Sequence, residues 1–307
     1  MKKVLIAVLV VIVAVGIGYY TFPEKVAGYM IDAARSKAGL IKKEIKVDDH
    51  KIVYLEGGKG PTILLLHGYT GNKDNWTMFA PYLTKNYHVV IPDIPGYGES
   101  SMIEAASYDL SSQMSRLHKF AQALELKKFH IVGNSMGGFF AGTYAVRYPD
   151  EVISIGLFDA AGVKSLEKSV AMKMMEKGEN PLILKDSKDM PRLMELVFVK
   201  QPTLPYPIEK VMINTLLANR MFYEKERKEL FSDLYSLEKD LPKIKAQTLI
   251  LWGKLDKIID VSSVPVFEKG LKNSKTVIIQ DCGHVPMIEK PQETATHYID
   301  FLKGIKI

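Results

Sequence analysis

Gly133-Asn134-Ser135-Met136-Gly137-Gly138 follows the apolar run Phe129–Val132 and precedes a stretch of helical character holding Phe139, Phe140, Tyr144 and Ala145. A serine on so tight a strand-to-helix turn has its hydroxyl exposed. Its flanking glycines remove side chains that would clash there. The chemistry available is nucleophilic acyl transfer, helped by a helix N-terminus that favours negative charge. A lone G-x-S-x-G arises by chance in a chain this long, so its placement after a strand and before a helix gives it weight.

Acyl transfer needs N–H donors aimed at the forming oxyanion. One is the backbone N–H of Met136, the residue after the nucleophile. The other belongs to a loop after an earlier strand, where Leu64-Leu65-Leu66-His67-Gly68-Tyr69 nominates the N–H of Tyr69. His67 reads as structural. The hydroxyl also needs a base, and the base an orienting carboxylate, with acid and histidine following the serine in chain order. Only His284 and His297 follow Ser135. His284 lies just past a strand-like run, in Asp281-Cys282-Gly283-His284, whereas His297 sits in an expected terminal helix, Glu293–Phe301, as a surface or packing residue. Asp256, in Trp252-Gly253-Lys254-Leu255-Asp256, is the best-placed acid. Asp260 is close by, and Asp159 could also reach the base.

Short apolar runs must position these residues. Thr62–Leu66, His88–Pro92, Phe129–Val132, Val152–Phe158, Thr248–Trp252 and Thr276–Gln280 read as buried parallel strands, separated by helical stretches in right-handed βαβ units. Glu44–Val47 and Ile52–Glu56 flank Asp48-Asp49-His50 as a hairpin. Between about Gly162 and Asp240 no strand is expected. That interval is rich in Lys, Glu, Leu and Met, and holds seven of the 14 methionines. It reads as a helical insertion over the sheet's carboxyl edge, where ligands bind in open α/β sheets. Methionine suits an adaptable apolar surface, although gap-filling in small helical cores is the plainer reading for most of these positions.

The uncharged run Val4–Phe22 follows Lys2-Lys3 and is just long enough to cross a bilayer, which takes roughly 17–25 apolar residues. Tyr19, Tyr20 and Phe22 suit the membrane interface. A cleaved signal would carry an A-x-A-like site after a shorter apolar core, and Ala14-Val15-Gly16 falls inside the run, so an uncleaved anchor is favoured. The leading lysines place the N-terminus inside and the catalytic domain on the outer, extracytoplasmic side, with Lys25, Arg35 and Lys37 pulling weakly the other way. Ala14 and Gly18 make a small-xxx-small pair that could join two spans as a homodimer, though chance spacing explains it as well. Residues 24–42 read as a helix continuing from the span, its apolar stripe resting on the membrane interface or on the catalytic domain.

Of the 307 residues, the first 60 carry a net +4 of the total +6, so the remainder is nearly neutral. A nucleic-acid partner therefore has little electrostatic support. A basic flank beside a membrane favours anionic headgroups. The single Cys282 excludes an internal disulfide and any cysteine-built metal site. There is no H-E-x-x-H either, so no metal is expected. The expected organisation is an anchor over 1–22, a juxtamembrane amphipathic helix over 23–43, a catalytic core over 44–161 and 241–307, and a helical cap or lid over 162–240.

Taken together, His67-Gly68-Tyr69, Asp93-Ile94-Pro95-Gly96-Tyr97-Gly98-Glu99-Ser100, Gly133–Gly138, Trp252–Asp256 and Cys282-Gly283-His284 resemble the α/β-hydrolase superfamily over about residues 44–305. Gly71-Asn72-Lys73-Asp74-Asn75-Trp76, Trp252–Val261 and Cys282–Pro291 narrow the likeness. They are similar to the membrane-anchored monoacylglycerol-lipase-like branch and its bacterial lipase and phospholipase A relatives. The resemblance implies a mostly parallel sheet flanked by helices and hydrolysis of fatty-acyl esters without a cofactor. It carries Ser135, Asp256 and His284 over as triad, and Tyr69 and Met136 as oxyanion donors. The Asp93 segment matches a structural loop, not a metal site. Monoacylglycerol, lysophospholipid and phospholipid all fit as substrates. Two rivals stand beside this reading: a carbon–carbon bond hydrolase of the same fold, whose members share Gly-Asn-Ser-Met-Gly-Gly, and a catalytically silent binding protein.

Overall fold

The computed structural model describes residues 16–305. The expected span Val4–Phe22, its leading lysines and Ala14 lie outside the described residues, except for residues 16–22, of which 16–21 are helical. Among the described residues no helix is long and apolar enough to cross a membrane.

Eight strands form one sheet in the order β1-β2-β4-β3-β5-β6-β7-β8. They are β1 (Leu40–Val47), β2 (His50–Gly57), β3 (Thr62–Leu66), β4 (His88–Pro92), β5 (Phe129–Asn134), β6 (Val152–Phe158), β7 (Gln247–Gly253) and β8 (Ser274–Ile279). The β1/β2 hairpin joins β4 antiparallel, and every later pairing is parallel. Period-two side-chain alternation explains why the central strands are apolar throughout. Leu64, Leu66 and Ile131 face one core, while Ile63, Leu65 and Val132 face the other.

The helices are α1 (Pro23–Lys37), α2 (Ala80–Leu83), α3 (Leu110–Ala123), α4 (Met136–Arg147), α5 (Val170–Glu176), α6 (Met190–Val197), α7 (Tyr206–Ala218), α8 (Arg220–Leu230), α9 (Val264–Gly270), α10 (Pro286–Glu289) and α11 (Pro291–Lys303). Helices α3, α4 and α9 cover one face through Phe120, Phe139, Phe140, Tyr144 and Phe267. On the other face, Trp76, Phe79 and Leu83 meet Tyr298 and Phe301 of α11.

Helix α1 ends earlier than its periodicity suggested. Gly39 takes φ +69, and the N–H groups of Ala38 and Gly39 close on the carbonyls of Ala34 and Ser36. Residues 40–43 then pair with β2 as strand, beginning with Leu40 opposite Gly57. The helix packs along α7. It is also pinned by the buried Arg35, whose guanidinium makes two 2.7 Å bonds to Asp74 and one of 3.2 Å to Glu99. Lys73, likewise buried, bridges Asp93 at 2.7 Å and Glu99 at 2.8 Å, which gives the Asp93 segment a structural role.

The interval between β6 and β7 holds α5 to α8 and short 3₁₀ turns, with no strand. Leu193, Leu216, Tyr223, Leu230 and Leu237 join the core of the sheet, so the insertion is closed down onto the body. Met190 is buried, and Met194 and Met212 pack against the same core, as gap-fillers do. Met221 is 75% exposed.

Candidate active site

Five functional candidates sit just beyond the carboxyl ends of neighbouring parallel strands: Tyr69 after β3, Ser135 after β5, Asp159 after β6, Asp256 after β7 and His284 after β8. This is the edge at which ligands meet such sheets.

Ser135 has φ +56 and ψ −119, a conformation that costs a residue bearing a Cβ and persists only where its surroundings impose it. The surroundings do so. Its N–H donates to Phe158 O at 3.0 Å, and its carbonyl accepts from Gly138, Phe139 and Ala161. A Cβ on Gly133 would overlap the Gly137 carbonyl, and one on Gly137 would overlap those of Leu66 and His67. The turn can therefore close only with glycine at both places. Between buried neighbours, Ser135 alone is partly open to solvent.

Met136 opens α4, so its N–H has no acceptor within the helix. Among the described residues, neither that N–H nor the N–H of Tyr69 has a hydrogen-bond acceptor. Gly68 lets the two loops approach, since a Cβ there would lie 3.2 Å from Ser135 Cβ. The Tyr69 phenol anchors the loop by donating to Tyr223 O at 2.6 Å, and burial pushes that phenol well up. The buried Tyr97 stacks on Tyr223, with ring centroids 5.7 Å apart, and donates to Met136 Sδ at 3.3 Å.

His284 Nδ1 donates to Asp256 Oδ2 at 2.8 Å, and both residues are buried. Asp256 Oδ1 accepts from the N–H groups of Ile258 and Ile259 at 2.7 and 3.0 Å, which fixes the carboxylate plane. With Nδ1 so committed, Nε2 is left as the basic nitrogen. The histidine loop is tied on three sides. His284 N–H donates to Val197 O at the end of α6, Gly283 N–H to Glu289, and Asn134 Nδ2 to His284 O.

The other candidates are placed as clearly. His67 is buried, with Nδ1 donating to Gly68 O and Nε2 accepting from Ile94 N–H, and burial lowers its basicity. His297 lines a surface depression with Tyr82 and Lys290. Asp260 caps a 3₁₀ turn through Ser262 N–H. Asp159 lies with Asp256 and His284, their nearest polar atoms all within 4.8 Å of one another. That is metal-ligand spacing, but Asp256 and His284 are already hydrogen-bonded to each other there. Sequence reasoning gave no part to Asn134, whose place directly before the serine was the available signal. Nothing in the sequence flagged Val197 or Glu289.

A family model described as the alpha/beta hydrolase fold matches residues 61–182. Lipase 1 of Psychrobacter immobilis is 36% identical, over 89% of this chain and 87% of its own. Monoacylglycerol lipase ABHD6 of Bos taurus is 32% identical, over 88% and 85%. The crystal structure of a membrane phospholipase A, described as a bacterial virulence factor, superimposes with a TM-score of 0.91 at 43% identity, covering 99% of both chains. The chain belongs to the α/β-hydrolase family. Within that family it stands among the lipases and is a carboxylic ester hydrolase.

Proposed function

We propose that this enzyme cleaves fatty-acyl esters at a membrane, by a two-step acyl transfer through Ser135, His284 and Asp256. The observation that carries the reading is the positive-φ Ser135 on its strand-to-helix turn, together with a 2.8 Å His284–Asp256 bond at the same edge of the sheet. His284 Nε2 takes the proton of Ser135 Oγ as that oxygen attacks the ester carbonyl. The N–H groups of Tyr69 and Met136 hold the oxyanion. His284 then protonates the departing alcohol. Water, activated by the same imidazole, releases the fatty acid and restores the serine.

One further observation favours a lipid over a small soluble ester. The segment leading into α1 exposes Ile17, Tyr20 and Phe22, with Tyr29 on the helix itself 77% exposed. Tyr20 also rests on Tyr206 of α7, with ring centroids 5.2 Å apart. On this reading residues 1–22 anchor the chain, the juxtamembrane helix follows, and 162–240 serve as the lid over an outward-facing site. Relatives named as monoacylglycerol lipase and phospholipase A support a glycerolipid headgroup.

The test is fluorophosphonate labelling of the detergent-solubilised chain beside Ser135→Ala, followed by an ester series of rising acyl length. Labelling of the wild type alone, with kcat/KM rising from acetyl toward medium or long chains, is expected. A rate greatest for the acetyl ester would sink the lipid assignment, and equal labelling of Ser135→Ala would sink the nucleophile.

A further inference from the structure

Asp159 lies at the end of β6 with no part in the mechanism just described. It is fully buried, and its backbone is held at φ +45, outside the range most side chains adopt. Its Oδ1 accepts from Gly253 N–H at 2.8 Å. Its Oδ2 is buried, and no donor among the described residues reaches it. Another acceptor, the Asp256 carboxylate, is close by, since one oxygen of each falls in the 4.8 Å grouping that includes His284. Two ionised carboxylates cannot share such a site cheaply, and a proton between them removes the conflict.

We propose that Asp159 is a positioning residue whose protonated Oδ2 donates to the Asp256 carboxylate and thereby fixes the acid that orients His284. The role rests on the acyl-transfer reading above, but the proton itself does not. The ionisable groups around Asp159 are Asp256, His284, Glu289 and Cys282. Glu289 is spent on the N–H groups of Val199, Lys200 and Gly283. Cys282 is a buried free thiol that burial holds neutral. Burial first, and the Asp256 charge second, push the Asp159 carboxyl well above the usual range, in keeping with a neutral acid. Asp256 then has a partner on each side: two backbone N–H groups at Oδ1, His284 at Oδ2, and the acid of Asp159 from the strand next door.

Asparagine is the telling replacement, because its oxygen can accept from Gly253 while its amide nitrogen occupies the place of the protonated oxygen. The first measurement is the infrared difference spectrum of the full chain in detergent, wild type minus Asp159→Asn, near neutral pH. A carbonyl stretch of a protonated carboxyl group is expected, and its absence would overturn the proposal whether or not the protein hydrolyses esters. Failure of the wild type to turn over any ester would instead remove the acyl-transfer reading and the positioning role, leaving the infrared band to decide the proton. The second measurement is kinetic, with a short soluble ester. Asp159→Asn should keep kcat within about twofold, while Asp159→Ala lowers it about tenfold at unchanged KM. The acid limb of kcat/KM should not move in Asp159→Asn. A downward move of about one unit or more would mean that a negative charge had been removed beside His284, and would overturn the proposal. Adding Asp159→Ala to Asp256→Asn should cost nothing further, since one residue acts through the other. A further loss would make Asp159 a deputy acid instead. Should Asp159→Ala not fold, the infrared band and the asparagine variant still decide.

Discussion

Asn134 Nδ2 donates to the carbonyl oxygen of His284 at 2.9 Å, joining residues 150 positions apart in the chain. The same nitrogen reaches Phe158 O at 3.1 Å, a carbonyl that also receives the Ser135 N–H. The residue before Ser135 thus ties the serine turn to the histidine loop. Asn134→Ala leaves two buried carbonyls without that donor, at a cost of about 1–3 kcal/mol in urea unfolding. A fall of about tenfold in kcat with little change in KM should accompany it, because His284, the proposed base, shifts relative to the serine. An unchanged kcat would mean that the loop is held adequately without Asn134.

Gly68→Ala probes the loop proposed to hold the oxyanion. The new methyl would sit 3.2 Å from Ser135 Cβ and 3.4 Å from Asn134 O. The loop must then give by a few tenths of an ångström, carrying the Tyr69 N–H with it. A loss of about ten- to a hundredfold in kcat is expected, with the thermal midpoint nearly unchanged. Full activity in this variant would count against Tyr69 as a donor.

His130 sets a pH dependence of stability. It is buried in β5 with Nδ1 2.7 Å from Ser154 Oγ, and burial pushes its imidazole down to about 4. In the unfolded chain the group titrates near 6.5. The unfolded state therefore takes up a proton that the fold refuses between those values. Stability should fall as the pH drops through that window, by about 3 kcal/mol in total. The urea midpoint of His130→Asn should lose less across the same window than that of the wild type. Parallel curves would show that other groups carry the dependence.

Most of the sheet was legible because buried parallel strands are continuous apolar runs bounded by turn residues. Thr62–Leu66, His88–Pro92 and Val152–Phe158 are strands at those limits. The end of α1 was not, because Ala38 and Ile41 continue the helical stripe while Gly39 stops the helix by its backbone. Reading that glycine as a C-terminal signal would have found the boundary. Asp159 and Asp256 could not be ranked firmly by spacing, since both follow strand ends and only side-chain direction separates them. In the structure Asp256 bonds Nδ1 of His284, and Asp159 lies within 4.8 Å of that pair without a hydrogen bond to the imidazole. The bond from His284 N–H to Val197 O depends on how α6 folds back, which no local pattern records.

The pair of Arg35 and Asp74 can be tested by stability alone. Asp74→Ala takes the two shortest bonds from a guanidinium that is only 6% exposed, at a cost of about 1–2 kcal/mol, less than for a fully buried pair because Asp32 and Glu99 still reach it and Asp74 keeps some contact with water. Replacing both together, as Arg35→Met with Asp74→Leu, should recover much of that loss. If the double replacement cost as much as the two singles added, the ion pair would not be the coupling element.

The same guanidinium decides how the N-terminal segment behaves mechanically. A chain joined to a body by a flexible linker lets that body tumble. Here α1 is clamped to Asp74 and Glu99, lies along α7, and runs through a tight glycine turn straight into β1. The helix therefore acts as a mast rather than a leash. Whatever holds residue 22 also sets the compass heading of the sheet and of the serine at its edge.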